Sequence, residues 1–322
     1  MTDRRRFLAG LGAACAGLAA EGRLLTATDV HVKGYPTVAA VEWLGETLER
    51  ETEGRVRLRQ YHSGQLGRES EAIDMARFGA VDLTRVYTGG LNNPFPLTQA
   101  LCLPYVFESV AHLRRAIDGE VGAAVLAGFA QRDLVGLAVY DCGARCFYNT
   151  QRALEVPRDL HGLKLRVPPS DIFIRLLRDL GANPTPLAYG EVFSALETRL
   201  IDGAENNMRS FHSSRQFEAA RYWSQSEHSY APDVLLMSRR SFESLRPGDR
   251  ELLVDAARRS VAVMRQAWDT SEQAAREAVQ AHGVAFNTVD AAAFRTAAEP
   301  LLRDYLAAPE LASLHRRIRD LA

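Results

Sequence analysis

The chain has 322 residues, of which 47% are hydrophobic and 25% charged, and its formal net charge is -1. This length is enough for two lobes with a core each, and the composition is that of an ordinary globular protein. The near-zero charge excludes the broad basic field that attracts nucleic acid.

The first residues have the features of a secretory signal. Arg4, Arg5 and Arg6 precede Phe7 and an apolar run of small residues. A basic start before a short apolar stretch is typical of export signals, and the arginine pair before Phe-Leu resembles the twin-arginine type. The run is shorter than the roughly 20 apolar residues of a transmembrane helix. We expect residues 1–27 to be the export signal, with cleavage between positions 19 and 28; the alternative is a buried N-terminal helix.

The segments that follow alternate between strand and helix patterns. Strands are predicted at 30–33, 56–61, 81–86 and 134–140, and helices at 36–50, 69–78, 110–117 and 120–132. This alternation favours an α/β lobe with a mostly parallel sheet.

A second lobe of the same class is predicted from residue 143. Its strands are expected at 144–148, 163–167, 200–205, 222–228 and 284–289, and residues 233–237 are expected to return to the first lobe. The helical pattern at 247–282 predicts a helix roughly 50 Å long, which would lie across both lobes. We therefore assign 28–142 and 231–262 to lobe I, and 143–230 and 263–322 to lobe II.

The sequence has no motif typical of metal, phosphate or nucleophilic chemistry. Its histidines lack metal-ligand spacing, and neither a nucleophile elbow nor a phosphate-binding loop is present. We expect no catalytic residue, metal or cofactor. Cys102, Cys142 and Cys146 are interpreted as buried thiols, although a turn at Gly143 would allow Cys142 and Cys146 to pair.

Arg166 is the strongest candidate for contact with an anion. It alternates with the apolar residues of a predicted strand that ends at Pro168, so it lies near a carboxyl edge, where α/β sheets bind ligands. A guanidinium offers a rigid fork of donors that matches a carboxylate. The alternative is a surface arginine paired with an acidic side chain.

Other candidates lie on neighbouring strands or directly after them. Arg145, Phe147 and Asn149 share one face of a predicted strand, and Asn206 and Asn207 follow another, where one can cap a helix while the other binds. The remaining candidates follow strands of lobe I or begin a helix of lobe II: His31, Gln65, Glu69, Tyr87, Asn93 and Ser170. For Glu69 a helix N-terminal role, and for His31 a packing role, are the alternatives.

Several motifs resemble one family along nearly all of the chain after the signal. They are YHSGQLG at 61–67, GAVDL at 79–83, LPYVF at 103–107, LHGLKLRV at 160–167, GEVFSAL at 190–196 and IDGAENN at 201–207. Together they resemble the DctP-type solute-binding subunit of tripartite ATP-independent periplasmic (TRAP) transporters. The resemblance implies a two-lobed periplasmic binding protein fold with a long helix that spans both lobes. It also implies that Arg166 grips a ligand carboxylate and that Arg145 and Asn206 are further contacts.

A narrower resemblance concerns the ligand. Residues 29–31, 143–149, 205–207 and 226–229 are similar to the subgroup that binds sugar acids, which implies a hexuronate such as glucuronate or galacturonate. Met208-Arg209 and Pro168-Pro169 depart from the subgroup pattern. The alternatives are therefore an aldonate, a dicarboxylate or another organic acid and, from other classes, an exported sugar-acid enzyme or a receptor-linked sensor.

The resemblance also implies where the protein acts. We expect a monomeric periplasmic protein that is not an enzyme and not itself a membrane protein. It would close its lobes on the ligand and deliver it to the TRAP permease subunits.

Overall fold

The computed structural model describes residues 22–322, so most of the predicted export signal lies outside the described residues. The strands are β1 (Arg23–Thr28), β2 (Val56–Tyr61), β3 (Leu83–Tyr87), β4 (Leu134–Tyr140), β5 (Arg145–Asn149), β6 (Lys164–Val167), β7 (Asn183–Pro186), β8 (Gly203–Asn206), β9 (Tyr222–Ser229), β10 (Asp233–Ser238) and β11 (Ala285–Thr288). The helices are α1 (Pro36–Glu51), α2 (Glu69–Phe78), α3 (Gln99–Cys102), α4 (Val110–Asp118), α5 (Glu120–Gly128), α6 (Asp171–Asp179), α7 (Val192–Glu197), α8 (Met208–Ser213), α9 (Arg239–Ser244), α10 (Pro247–Ala281), α11 (Ala291–Tyr305) and α12 (Pro309–Arg319).

Two mixed sheets flanked by helices form two lobes, which confirms the predicted α/β class. The first sheet has the order β2-β1-β3-β10-β4, and the second β11-β9-β5-β8-β6-β7. Strand β1 pairs in parallel with β2 and β3, whereas β10 lies antiparallel between β3 and β4. The prediction that residues 233–237 return to lobe I is therefore confirmed.

The first strand differs from the prediction. It covers Arg23–Thr28 rather than residues 30–33, and its Leu25 and Ala27 are buried in the core. The error arose because these residues were assigned to the export signal. Residues 30–33 instead form a turn into α1, and the Asp29 carboxylate holds that turn by accepting a hydrogen bond from the His31 backbone N–H at 2.8 Å.

Two of the segments that cross between the lobes are adjacent, one after β4 and one before β10. The Cys142 thiol of one segment donates to the Ala231 carbonyl of the other at 2.9 Å. Gly143 has a φ of 69°, and a Cβ there would lie 3.1 Å from the Trp268 ring and 2.9 Å from the Glu272 carboxylate. Only glycine therefore lets the chain pass this close to α10.

Helix α10 lies across both lobes, as predicted. Its first half packs on α1 of lobe I and its second half on α8 of lobe II. The predicted lobe boundaries stay a prediction. The C-terminal α12 lies against α4 of lobe I, where the His112 ring nitrogen is 2.7 Å from the Ile318 carbonyl. None of the described helices is both long and apolar enough to cross a membrane.

Candidate ligand-binding site

A cavity lies between the two lobes, next to the crossing segments, and its empty space, including the part that is open to solvent, is about 380 Å³. Six of the predicted site residues line it: His31, Glu69, Tyr87, Arg145, Arg166 and Asn206. Asn207, the predicted alternative to Asn206, also lines it. The lining residues that were not predicted as ligand contacts are Val30, Arg85, Cys142, Pro168, Tyr189, Ser210 and Asp233. Both lobes therefore supply polar groups to one enclosed space.

Three other predicted residues lie away from this cavity. Gln65 and Asn93 are exposed to solvent, since each sits in a loop beyond the end of its strand. Asn149 lies at the far end of β5, where its side-chain oxygen accepts hydrogen bonds from the backbone N–H groups of Gln151 and Arg152 at 2.8 and 2.9 Å. It stabilises a turn, which explains its burial.

The last two predicted residues support the site from outside the cavity. Phe147 stacks on His228 with ring centroids 4.2 Å apart. Ser170 donates to the side-chain oxygen of Asn92 at 2.7 Å and thus joins lobe II to lobe I. Its hydroxyl makes no capping hydrogen bond to α6.

Arg166 lies in the cavity wall with only 4% of its surface exposed. Its Nε donates to the Leu187 carbonyl at 2.9 Å. Within residues 22–322, no carboxylate lies within ion-pair distance of its guanidinium. Burial lowers the pKa of Arg166 because the charged form loses its hydration. The alternative of a surface ion pair is therefore wrong, and the guanidinium is a buried cation that needs an anion.

Arg145, in contrast, already has its counter-charge. Its Nε and Nη2 donate to the two carboxylate oxygens of Glu205 at 2.6 and 2.8 Å, and Nη1 donates to the Asn206 side-chain oxygen at 3.0 Å. Although burial opposes ionisation, the charge of Arg145 and then the His228 ring, whose Nε2 lies 3.4 Å from the carboxylate, lower the pKa of Glu205 to about 2. The guanidinium also lies 4.5 Å from the centre of the Tyr87 ring. Arg145 is thus held in a fixed orientation.

Arg85 is a third cavity arginine, and the sequence reasoning missed it. Its side chain is 1% exposed and pairs with Asp29 through two nitrogens, with Glu69 at 2.8 Å and with Asp233 at 3.5 Å. The available signal was a charged residue inside the otherwise uncharged strand β3, on the same face as Leu83 and Tyr87. Such a residue needs buried partners.

Two buried polar atoms of the cavity wall have no hydrogen-bond partner within the described part of the chain. They are Nδ1 of His31 and the hydroxyl of Tyr87. Burial first, and then the charge of Arg85, lower the pKa of His31 to about 3, so its ring is neutral at pH 7. Unpaired buried polar groups are rare and costly, so these two are suited to a polar ligand.

Asn206 and Asn207 have different roles. The Asn207 side chain accepts from the Ser210 N–H at 2.7 Å and caps α8, whereas Asn206 faces Arg145. This confirms the capping role that the sequence predicted for one of the two.

Contacts around the cavity join the lobes directly. The Tyr35 and Ser210 hydroxyls are 3.0 Å apart, and at the mouth of the cleft Arg68 and Glu191 form an ion pair of 2.7 Å. No group of His, Cys, Asp and Glu side chains in residues 22–322 has the arrangement of a metal site.

Comparison with known proteins identifies the family of the chain. The family model DctP, described as bacterial extracellular solute-binding protein, family 7, matches residues 28–308. A solute-binding protein of Chromohalobacter salexigens is 36% identical over 294 residues, which are 91% of this chain and 88% of the relative.

Two solved structures are similar over most of the chain. One is a TRAP periplasmic solute-binding protein from Bradyrhizobium sp. BTAi1 in complex with α/β-D-galacturonate, with a TM-score of 0.91, 43% identity, and coverage of 92% of this chain and 100% of that one. The other, from Chromohalobacter salexigens with bound D-glucuronate, has a TM-score of 0.90, 35% identity and coverage of 92% and 100%. The chain therefore belongs to the DctP family of bacterial extracellular solute-binding proteins.

Proposed function

We propose that the protein is a periplasmic solute-binding protein that captures a hexuronate, such as galacturonate or glucuronate, for a TRAP transporter. The observation that carries this proposal is the buried guanidinium of Arg166, which has no acidic partner within the described residues. A ligand carboxylate would supply that partner through two parallel hydrogen bonds. The relatives that bind galacturonate and glucuronate support the choice of ligand.

The other cavity groups suit the hydroxyls of a sugar ring. His31 and Tyr87 each present an unpaired polar atom, and Glu69 and Asn206 add oxygen acceptors or amide donors. Arg145 is held by Glu205 and Asn206, so it can offer a ligand one remaining N–H of Nη1 in a fixed position, as a second charged contact, but not two parallel donors.

Binding would drive closure of the lobes. A ligand that contacts Arg166 in lobe II and His31 or Glu69 in lobe I interacts with both lobes only when they are closed. That difference in affinity between the open and closed forms is what shifts the equilibrium. Once closed, the protein would be recognised by the membrane permease and would release the ligand there. We propose no catalytic step.

Export by the twin-arginine route remains part of the proposal, since the arginines and the apolar run lie outside the described residues. Strand β1 refines where processing would occur. Leu25 and Ala27 are buried in the first sheet, so cleavage at residue 27 would remove an internal strand. We therefore place the cleavage at residues 19–22, within the window that the sequence allows.

The proposal is tested by calorimetry on the mature protein with five ligands: galacturonate, glucuronate, galactonate, succinate and galactose. We expect the two uronates to bind most tightly. Galactose, which lacks the carboxylate, should bind on the order of 100-fold more weakly, because Arg166 would then stay buried without a partner. Tightest binding of succinate would refute the choice of ligand, and consumption of a uronate would favour the exported enzyme.

A further inference from the structure

The cavity wall of lobe I holds three carboxylates around one guanidinium. Asp29 pairs with Arg85 through two nitrogens, Glu69 lies 2.8 Å from Nη1, and Asp233 lies 3.5 Å from the same nitrogen. All of these side chains except Glu69 are nearly inaccessible to solvent. One cation balances only one of the three carboxylates, and Glu69 is partly exposed to solvent, so at least one buried carboxyl group lacks a counter-charge.

Asp233 is the acid with the weakest compensation. Asp29 also accepts hydrogen bonds from the His31 N–H at 2.8 Å and the Thr37 hydroxyl at 3.1 Å, and Glu69 accepts from the Tyr87 N–H at 3.2 Å. The hydrogen bonds of the Arg85 guanidinium go to Asp29 and Glu69. Asp233 is left with a single long contact to Arg85.

The position of Asp233 connects it to the ligand cavity. It is the first residue of β10, directly after a crossing segment, and it lines the cavity with 2% of its surface exposed. The other ionisable groups that face it are Arg85 and Glu69, Asp29 before α1, Arg145 of β5, Cys142 of the other crossing segment and Tyr35. Burial first, with Glu69 and Asp29 adding to it against Arg85 and Arg145, raises the pKa of Asp233 to about 7.

We propose that Asp233 is a neutral carboxylic acid in the closed protein and donates a hydrogen bond to the bound sugar acid, so that ligand capture takes up a proton. This inference rests on the proposed function, because it requires an acidic ligand between the lobes. A neutral Asp233 offers a donor to a ligand oxygen. An ionised Asp233 would instead repel the ligand carboxylate across a dry cavity.

The direction in which the ligand affinity changes with pH follows from the proton that Asp233 takes up when the lobes close. In the open protein, water reaches Asp233, and its pKa returns towards the ordinary value of 3.8. Closure then takes up a proton at any pH between that value and about 7, so the affinity falls as pH rises through this window and levels off above it. His31 acts in the opposite sense, because burial lowers its pKa and closure releases its proton. The contribution of Asp233 to the pH dependence of the affinity must therefore be measured by comparing the wild type with a variant that lacks this carboxyl group.

The experiment is calorimetry with galacturonate at pH 6, 7 and 8, in buffers of different ionisation enthalpy, on the wild type and on Asp233→Asn. The ratio of the wild-type to the variant association constant should fall about tenfold from pH 6 to pH 8. The variant should also take up fewer protons than the wild type at pH 6. The matched control is Asp74→Asn, at an exposed position of α2, whose affinity ratio to the wild type should not change with pH.

A second measurement does not depend on the variant. Carbon-13 NMR of aspartate-labelled protein saturated with galacturonate should show one carboxyl that titrates near pH 7. A constant affinity ratio, or spectra in which every aspartate titrates below pH 5, would overturn this inference while the proposed function stands. Proton uptake that survives in Asp233→Asn but disappears in Glu69→Gln would overturn it too. If galacturonate bound at no pH, the proposed function and the inference would both be refuted.

Discussion

At the scale of single residues, the unpaired hydroxyl of Tyr87 gives a direct prediction. In Tyr87→Phe we expect galacturonate affinity to fall about 2- to 10-fold, the equivalent of one hydrogen bond of roughly 0.5–1.5 kcal/mol. The free energy of unfolding should stay the same or rise, because the buried hydroxyl has no partner within the described residues. Calorimetry and urea unfolding measure the two effects.

The matched control is Tyr140→Phe. Tyr140 is equally buried, but its hydroxyl lies 2.7 Å from that of Ser260, outside the cavity. This variant should lose about 1 kcal/mol of stability and keep its affinity. If Tyr87→Phe lost stability as the control does and kept full affinity, the hydroxyl would serve packing rather than the ligand.

The three cavity arginines show what sequence reasoning can reach at this scale. Arg166 and Arg145 were predictable because each belongs to a motif that resembles a known family. Arg85 was not, because its function depends on Asp29, Glu69 and Asp233, which come from three distant segments. Gln65 and Asn93 were predicted from their positions after strands, but the direction of their loops leaves both exposed.

At the scale of secondary-structure elements, Asn207 predicts a capping effect on α8. Asn207→Ala should lower the free energy of unfolding by about 1 kcal/mol, since the Ser210 N–H loses its acceptor. Asn207→Ser should restore most of this loss because serine is also a good N-cap. Urea unfolding monitored by tryptophan fluorescence is the measurement. Equal stability of the alanine and serine variants would contradict the capping role.

The element boundaries show where sequence patterns fail. Strands β2 and β4 and helix α2 were predicted with their observed bounds, since β4 is a nearly continuous apolar run and α2 ends at Gly79. Strand β7 was missed, since Pro184 and Pro186 argue against a strand. It is an edge strand that pairs only with β6, and edges tolerate proline. Strand β1 was missed because it directly follows the signal-like segment.

At the scale of the whole molecule, closure depends on contacts that never touch the ligand. The Ser170 hydroxyl donates across the lobes to Asn92. Ser170→Ala should weaken uronate binding by about fivefold, because the closed form loses one hydrogen bond worth about 1 kcal/mol. Ser260→Ala is the control: its hydroxyl bonds within lobe I and α10, so it should lower stability but not affinity. Equal affinities for the Ser170 variant and the wild type would contradict a role in closure.

The stability of the whole protein should depend on pH in two regimes. The lowered pKa of His31 stabilises the folded state as pH rises from about 3 to 6.5, whereas the raised pKa of Asp233 destabilises it between about 4 and 7. These two effects oppose each other near pH 5, but burial also lowers the pKa of His228, which adds stability as pH rises towards 6.5. The lowered pKa of Glu205 gives stability that is complete above pH 4.5 and lost as pH falls towards 2. Urea unfolding should therefore show stability that falls gradually below pH 6.5 and steeply below about pH 4.5. Equal stability at pH 3 and pH 7 would contradict these assignments.

The central claim is that Arg166 binds the carboxylate of the ligand. Its most direct test is calorimetry with galacturonate and galactose on the wild type and on Arg166→Met, which keeps the length of the side chain but removes its charge. We predict that the variant loses on the order of 100-fold in affinity for galacturonate and no longer prefers it to galactose. Wild-type affinity and preference in Arg166→Met would contradict the account.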